Sequence, residues 1–191
     1  MKHIIPAVIF AGGKSSRMGK DKALLPFGAY ESLAAYQYHR LNVFFNSVYL
    51  STKTDKFGFD APLIMDRYKV YSPLTALVSA FEVLDEEAIF ILSVDTPFVD
   101  NTVIQNIITT RQKEDAIIAR TNNKIQPLCG LYVRSMLPLA QEALTQRKHR
   151  LTRFLEEINT KYVDFEDEKL FLNLNHPFEY KAAKKLISSK P

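Results

Sequence analysis

Short apolar runs alternate along this chain with stretches whose apolar residues recur at helical spacing. The strongest run, residues 88–94, is apolar apart from Ser93, which is typical of a strand buried on both faces of a sheet. We predict further strands at residues 6–11, 47–51, 62–65, 116–119 and 128–133, and helices at 33–44, 74–84, 103–108, 137–144, 151–158 and after Pro177. This alternation predicts an α/β fold of three layers, in which helices cover both faces of a mainly parallel sheet.

Length and composition are consistent with that fold. The 191 residues suit a single domain spanning residues 1–191, and a hydrophobic fraction of 47% can fill one substantial core. Cys129 is the single cysteine, so an internal disulfide and a cysteine-rich zinc site are excluded, and a reducing cytoplasm is the expected location. A net charge of +4 without long runs of one sign, and no apolar stretch of about 18 residues, predict neither a nucleic-acid partner nor a membrane span.

A glycine-rich, basic loop follows the first predicted strand. Residues 11–22 include three glycines, Gly12, Gly13 and Gly19, and four basic residues. Adjacent glycines let the backbone approach a ligand and offer N–H groups to phosphate oxygens, while Lys and Arg supply the opposite charge. The dinucleotide fingerprint and the P-loop are both excluded, because Gly12 and Gly13 are adjacent and Gly19-Lys20 is followed by Asp21. A triphosphate site is favoured over a flexible basic loop without a ligand.

An aspartate follows the strongest predicted strand. Asp95 lies where a strand of a parallel sheet presents its carboxyl end, which is where ligands bind in such folds. A lone aspartate at this position can be a turn former, but carboxylate oxygens also suit Mg²⁺ together with substrate phosphates. We favour metal binding because the strand should lie beside the glycine-rich loop.

The loop carries a family resemblance. Ala11-Gly12-Gly13-x-Ser15-x-Arg17-Met18-Gly19-x-Asp21-Lys22 resembles the signature of Rossmann-like nucleotidyltransferases, and most closely that of the molybdenum cofactor guanylyltransferase family. The resemblance implies nucleotide contacts at Phe10, Ala11, Gly12, Gly13, Lys22, Ser51, Asp66 and Asp95, and catalytic roles for Arg17, Lys22 and Asp95. Asp95 is similar to the metal-binding acid of the family's Asp-x-Pro motif, and the implied metal is Mg²⁺. Asp66 with Ser72-Pro73-Leu74 resembles the family's Asp…Gly-Pro-Leu stretch, with Ser72 in place of glycine.

Two later segments resemble the family's acceptor side. The segment from Asn173 resembles the family's Asn-x-Asn-Thr-Pro-Glu, with His176 in place of threonine and Phe178 in place of glutamate. Asn173 and Asn175 are expected to bind the pterin, because amides both donate to phosphate and accept from ring N–H groups. The alternative is that Asn175 caps the last helix. Residues 126–132 and the basic turn at 147–151 also resemble this side, although a basic turn equally suits the end of a helix.

The function that the resemblance implies is transfer of GMP from GTP to molybdopterin or the molybdenum cofactor, with release of pyrophosphate. Other cofactor-biosynthesis proteins and acceptor molybdoenzymes are further expected partners. A related enzyme that uses CTP, or a sugar phosphate as acceptor, is the alternative, but CTP-using relatives tend to carry Ala-Ala-Gly where this chain has Ala11-Gly12-Gly13. A nucleotide-binding adaptor without catalysis is disfavoured, because Arg17, Lys22 and Asp95 are all present.

Overall fold

A computed structural model describes residues 2–13 and 19–188. Within these residues a seven-stranded sheet has the order β3-β2-β1-β4-β6-β5-β7. The strands are β1 (Ala7–Phe10), β2 (Val48–Thr52), β3 (Leu63–Met65), β4 (Ala88–Ser93), β5 (Ala116–Thr121), β6 (Lys124–Val133) and β7 (Thr160–Asp164). The helices are α1 (Leu33–Phe44), α2 (Pro73–Val83), α3 (Asn101–Thr110), α4 (Leu137–Thr145), α5 (Leu151–Glu157) and α6 (Pro177–Ser188). Short 3₁₀ helices cover Lys22–Leu24, Arg134–Met136 and Glu168–Phe171.

The predicted mainly parallel sheet is confirmed. Strands β3, β2, β1 and β4 pair in parallel, and β5 pairs in parallel with β7. In the described part of the chain β6 alone runs antiparallel, between β4 and β5. The carboxyl ends of β1, β2 and β4 therefore lie at one edge of the sheet, and the beginning of β6 returns to that same edge.

Two apolar cores sandwich the sheet, one on each face. Along β4, Phe90 and Leu92 belong to one core and Ile89 and Ile91 to the other, because successive side chains of a strand point to opposite faces. The first core is closed by α1, α3 and α6, and the second by α2, α4 and α5. Burying each large aliphatic side chain contributes about 1.5–3 kcal/mol, so these two cores explain why uninterrupted apolar runs become the central strands.

Helix α2 begins one residue before the helix that the sequence predicts at 74–84. Ser72 is its N-cap, and the Ser72 hydroxyl accepts a hydrogen bond from Thr75 N at 3.1 Å. The Thr75 hydroxyl in turn accepts from Ser72 N at 3.2 Å, which completes a capping box, and Pro73 occupies the first turn. This cap places the start of α2 at the edge of the sheet where the strands end.

No helix within residues 2–13 and 19–188 is both long enough and apolar enough to cross a bilayer.

Candidate active site

Three neighbouring strands deliver the predicted site residues to one edge of the sheet. Phe10, the last residue of β1, is in register with Ser51 of β2 on one side and with Ser93 of β4 on the other. Gly12 and Asp95 each lie two residues beyond the last residue of their strand, β1 and β4 respectively. The prediction that Asp95 lies beside the glycine-rich loop requires β1 and β4 to be neighbours. The two strands do pair, in parallel.

A cavity of about 380 Å³ opens at this edge between β1, β2 and the start of α2. It is lined by Phe10, Gly12, Gly13, Ser51, Thr52, Lys53, Asp66, Tyr71, Ser72, Pro73, Ala76, Ser93 and Leu128. Five of the eight residues for which the sequence predicted nucleotide contacts therefore meet here, although they come from three separate parts of the chain.

A second cavity, of about 270 Å³, adjoins the first. It is lined by Ser93, Asp95, Thr96, Gln126, Pro127, Leu128, Cys129, Asn173 and Asn175. Ser93 and Leu128 line both cavities, so the two spaces share a wall. Residues predicted to serve the second substrate thus lie in a space of their own, next to the predicted nucleotide site.

Asp95 is anchored in the second cavity by contacts from three directions. Its Oδ1 accepts a hydrogen bond from the Ser93 hydroxyl at 2.6 Å, and its Oδ2 forms an ion pair with Lys22 Nζ. Its carbonyl oxygen accepts from Leu174 N at 2.9 Å, which fastens the segment carrying Asn173 and Asn175 against this loop. The carboxylate is largely buried, with 13% of its side chain exposed. Its position is therefore defined before any ligand binds.

Lys22 joins the glycine-rich loop to both Asp95 and the acceptor segment. It opens a 3₁₀ helix that is capped by Asp21, whose Oδ1 accepts from Ala23 N at 3.0 Å. Besides its ion pair with Asp95, Lys22 Nζ donates to Asn175 Oδ1 at 2.9 Å. Lys22, Asp95 and Asn175 are far apart in sequence, yet their side chains form one cluster.

The glycine-rich loop is described only in part. Gly12 and Gly13 line the larger cavity, and Gly13 has φ +148°, a conformation that residues with a side chain rarely adopt. Ala11 donates its N–H to Ser51 O at 3.0 Å and accepts from Lys56 Nζ at 3.0 Å, so its main chain already has partners within the protein. Arg17, for which we predicted a catalytic phosphate contact, lies outside the described residues.

Asp66 lines the larger cavity with its carboxylate held by its surroundings. Oδ1 accepts from Tyr68 N at 3.0 Å and from the Ser79 hydroxyl at 3.3 Å, while Oδ2 lies 3.6 Å from Lys53 Nζ. These contacts connect β3, the following loop and α2. Asp66 therefore organises the wall of this cavity, whatever contact it makes with a nucleotide.

Two lysines that the sequence analysis did not single out support this region. Lys53 Nζ donates to the carbonyl oxygens of Tyr68 and Val70 and lies 4.1 Å from the centre of the Tyr71 ring. Lys56 forms an ion pair with Asp21. Both follow β2 at the ligand-binding edge, so the rule that located Asp95 could have located them. Their partners come from distant loops, which the sequence does not reveal.

Asn173 and Asn175 both line the second cavity, and the start of α6 is capped by a side chain other than that of Asn175. Glu179 Oε2 accepts from both Asn175 N and His176 N at 2.7 Å, so the side chain that caps the start of α6 is that of Glu179. The Asn175 side-chain oxygen faces Lys22, and Asn173 Nδ2 donates to Phe171 O at 3.2 Å.

The basic turn at residues 147–151 lies away from both cavities. It borders a separate space of about 400 Å³ whose lining residues are Ala143, Arg147, Lys148, His149, Arg150, Arg153, Phe154 and Glu157. None of these residues lines either of the other two cavities. Gln126 and Leu128, the other acceptor-side residues, do line the second cavity.

Cys129 also lines the second cavity, but it has no chemical role to offer there. Burial raises the pKa of its thiol to about 12, so the thiol is protonated at neutral pH. The thiolate form needed for nucleophilic attack is therefore absent.

The residues at the second cavity fit a magnesium ion. Among the described residues there is no group of three or more His, Cys, Asp and Glu side chains that could hold a metal alone. Mg²⁺ does not require one, since it is commonly bound by one or two carboxylates together with substrate phosphates and water. Asp95 offers one carboxylate, and Ser93, whose hydroxyl contacts it, also lines the cavity that Gly12 and Gly13 line.

Comparisons with known proteins agree with this geometry. Residues 7–162 match the model of the protein family described as the MobA-like NTP transferase domain. The chain is 39% identical over 180 residues to the molybdenum cofactor guanylyltransferase of Campylobacter jejuni, covering 93% of this chain and 94% of that protein. It is 32% identical to the protein of the same name from Helicobacter pylori, covering 96% and 93%. Its fold resembles that of molybdopterin-guanine dinucleotide biosynthesis protein A from Archaeoglobus fulgidus, with a TM-score of 0.84, 19% identity, and coverage of 97% and 100%.

Proposed function

The chain belongs to the family of MobA-like NTP transferase domains, and we propose that it transfers GMP from GTP to molybdopterin to form the guanine dinucleotide of the molybdenum cofactor. The observation that carries the proposal is the pair of adjoining cavities. Ser93 belongs to the wall that they share, and its hydroxyl holds the Asp95 carboxylate. The larger cavity would hold GTP and the smaller one the pterin, so that the reacting phosphates meet beside Asp95 and Lys22.

The proposed reaction is a single displacement at phosphorus. An oxygen of the terminal phosphate of molybdopterin forms a bond to the α-phosphorus of GTP. The bond from that phosphorus to the bridging oxygen of the β-phosphate breaks, and pyrophosphate leaves with the electron pair. No covalent intermediate with the protein is needed, so the residues act by positioning the phosphates and by neutralising charge.

The roles proposed for the side chains follow from their contacts. Gly12 and Gly13 line the larger cavity closely enough for a triphosphate to approach their backbone. Lys22 would exchange its contact with Asp95 for the phosphates as they bind, and Arg17 is proposed to contact them from the same loop. Asp95 would hold Mg²⁺, which when bound supplies positive charge to the phosphates. Other cofactor-biosynthesis proteins, acceptor molybdoenzymes and a cytoplasmic location remain predictions from the sequence.

The direct test is to incubate the purified protein with Mg²⁺, GTP and molybdopterin. We expect pyrophosphate release that depends on the pterin, and a product whose mass equals that of the pterin plus GMP. Reactions without pterin, and reactions without Mg²⁺, are the controls. A protein that binds GTP but forms no dinucleotide with any pterin preparation would contradict the proposal and support the adaptor alternative.

We expect GTP to be preferred over CTP and ATP. A nucleobase pocket presents donors and acceptors that a wrong base leaves unpaired, and such mismatches discriminate strongly. The measurement is the rise in Tm that each nucleotide produces with Mg²⁺. A ligand that binds only the folded state at about 100 times its Kd adds about 2.7 kcal/mol to the free energy of unfolding.

A matched variant tests whether Ser72 alters this choice. Ser72→Gly restores the residue type usual in the family and should cost only a few tenths of a kcal/mol, because glycine is a tolerable N-cap. Since the Ser72 hydroxyl is engaged by Thr75 N, we expect the variant to retain the preference for GTP. Equal stabilisation of the unaltered protein by all three nucleotides would refute the guanine assignment.

We expect Asn173→Ala to weaken binding of the pterin substrate and to leave GTP binding unchanged. The Asn173 side chain lines the smaller cavity and not the larger one. Loss of one hydrogen bond to a charged phosphate should raise the molybdopterin concentration at half-maximal rate about tenfold. The measurements are molybdopterin-dependent turnover, the Kd of GTP and Tm, with Asn106→Ala on the exposed face of α3 as the control.

Asn175→Ala should weaken pterin binding to the same extent. It should also lower the affinity for GTP slightly, because Asn175 contacts Lys22. A stability loss without a kinetic effect would instead mean that these asparagines serve the fold. A GTP affinity that falls while the dependence on molybdopterin stays unaltered would show that the two cavities are assigned the wrong way round.

A further inference from the structure

One face of α1 contacts the backbone of the segment that carries Asp95. Gln37 is completely buried on this face. Its side-chain Nε2 lies 3.3 Å from Ser93 O, 3.3 Å from Val94 O and 3.0 Å from Thr96 O. A side-chain amide nitrogen has two N–H donors, so these three carbonyl oxygens share them. A single side chain thus gathers the backbone on both sides of Asp95.

Arg40, one turn further along α1, fixes the orientation of the Gln37 amide. Arg40 Nε and Nη2 donate to Gln37 Oε1 at 3.1 and 2.6 Å, and Nη1 donates to Val99 O. Because an arginine can only donate, Gln37 must present its oxygen to Arg40 and its NH₂ group to the carbonyls. Burial lowers the pKa of the Arg40 guanidinium below its ordinary value, but arginine still carries its charge at neutral pH.

The segment held in this way contains no strand or helix between the end of β4 and the beginning of α3. It therefore lacks the repeating backbone hydrogen bonds that would fix its path. The Asp95 carboxylate is held from the cavity side by Ser93 and Lys22, and the Lys22 contact must change when phosphates bind. The contacts from Gln37 lie on the opposite, buried side, where no substrate reaches.

We propose that Gln37, oriented by Arg40, is a positioning residue that fixes the carboxylate of Asp95 for the transfer reaction. The inference rests on the proposed function, in which Asp95 acts at the reacting phosphates. Displacing a reacting or charge-stabilising group by about 1 Å can slow a reaction on the order of a hundredfold, and a buried amide with three backbone partners limits such displacement. Gln37 itself touches neither cavity.

Two substitutions of Gln37 distinguish a role in positioning Asp95 from a role in packing the core. Gln37→Met has a similar shape and removes every hydrogen bond of the amide. Gln37→Glu keeps an oxygen for Arg40 and so retains that buried contact, but it loses the donors toward the three carbonyls. Leu41→Ala, fully buried on the same helix with an apolar side chain that can form no hydrogen bond to this segment, is the control for a loss of stability alone.

We expect both Gln37 variants to lower kcat by on the order of 10- to 100-fold at saturating substrates, and to raise the Mg²⁺ concentration needed for half-maximal rate. The KM of GTP should stay within about twofold, because the residues of the larger cavity are mostly unaffected. Leu41→Ala should lower Tm at least as much and keep a near-normal kcat at temperatures where it is folded. If Gln37→Met does not fold, Gln37→Glu still decides the question.

The inference is overturned if folded Gln37→Glu has the kcat and Mg²⁺ dependence of the unaltered protein, or if Leu41→Ala loses kcat to the same extent. Failure of the proposed function is a separate result. It would appear as the absence of a dinucleotide product when the unaltered protein is given GTP, Mg²⁺ and molybdopterin, before any Gln37 variant is compared.

Discussion

Asp95→Ala is expected to lower pyrophosphate release by at least about a hundredfold while the fold is retained, because stabilisation of phosphate charge by a bound metal is worth several kcal/mol. Asp95 supplies a carboxylate in the smaller cavity, and its contact with Ser93, which lines both cavities, places it before substrates arrive. The fold should persist because Gln37 still holds the backbone of the segment and both apolar cores are untouched. Turnover at saturating GTP and Mg²⁺, with the circular dichroism spectrum, measures both halves of this expectation.

Asp95→Asn is the sharper variant, since it keeps the shape of the side chain and removes the charge. Asp100→Asn is its matched control, because it makes the same chemical change only five residues away in the chain. Asp100 caps α3 by accepting from Val103 N at 3.0 Å, and asparagine is an equally good N-cap. We expect Asp100→Asn to behave like the unaltered protein. Near-normal turnover in Asp95→Asn would refute the assignment of the metal to this carboxylate.

The central strands of the fold could be predicted because strands buried on both faces consist of apolar or small residues. Strand β4 is buried throughout, so every position is apolar or small, and the beginning of α2 carries a capping serine and a proline. Strand β7 was not predicted. Its residues Thr160–Asp164 are half-buried or exposed and include Lys161 and Asp164, so they form no apolar run. An edge strand of this kind is specified by its neighbour β5 more than by its own composition.

The length and direction of β6 were also not predicted. Its first residues, from Lys124 onward, are polar or half-buried, and the apolar run that the sequence shows covers only the later part. The tight turn before it is marked by Asn122 and Asn123, which have φ angles of 45° and 59°. Consecutive asparagines are a recognisable hairpin signal, and they would have predicted that β5 and β6 are antiparallel.

For the site, the sequence located the residues that end strands and could not locate those that act through a distant contact. Asp95 and Gly12 follow from the rule that ligands bind beyond the carboxyl ends of parallel strands. Gln37 lies in the middle of an amphipathic helix, where a polar residue is ordinarily expected to face solvent. Its burial becomes visible only when α1 is packed against the loop after β4.

Lys22→Ala is expected to weaken GTP binding by about 10- to 150-fold, the equivalent of the 1.5–3 kcal/mol that a charge-assisted hydrogen bond contributes. Only 16% of the Lys22 side chain is exposed. Water can therefore compensate only poorly for the loss of its positive charge beside a phosphate. Turnover should fall as well, because the same charge is proposed to stabilise the triphosphate as the bond to pyrophosphate breaks. Lys20→Ala removes the same charge from an exposed position two residues earlier and should change GTP binding little.

The ion pair between Lys22 and Asp95 adds a second expectation, of opposite sign. In the protein without nucleotide the lysine ammonium competes with a divalent cation for the Asp95 carboxylate. Lys22→Ala removes that competitor, so Mg²⁺ alone should raise the Tm of the variant more than it raises that of the unaltered protein. Calorimetric titration with GTP and thermal unfolding with Mg²⁺ alone measure the two effects on the same preparation. If GTP affinity and turnover were both unchanged in Lys22→Ala, Lys22 would not be a phosphate ligand. If Mg²⁺ raised the Tm of both proteins equally, the Asp95 carboxylate would not be the metal site.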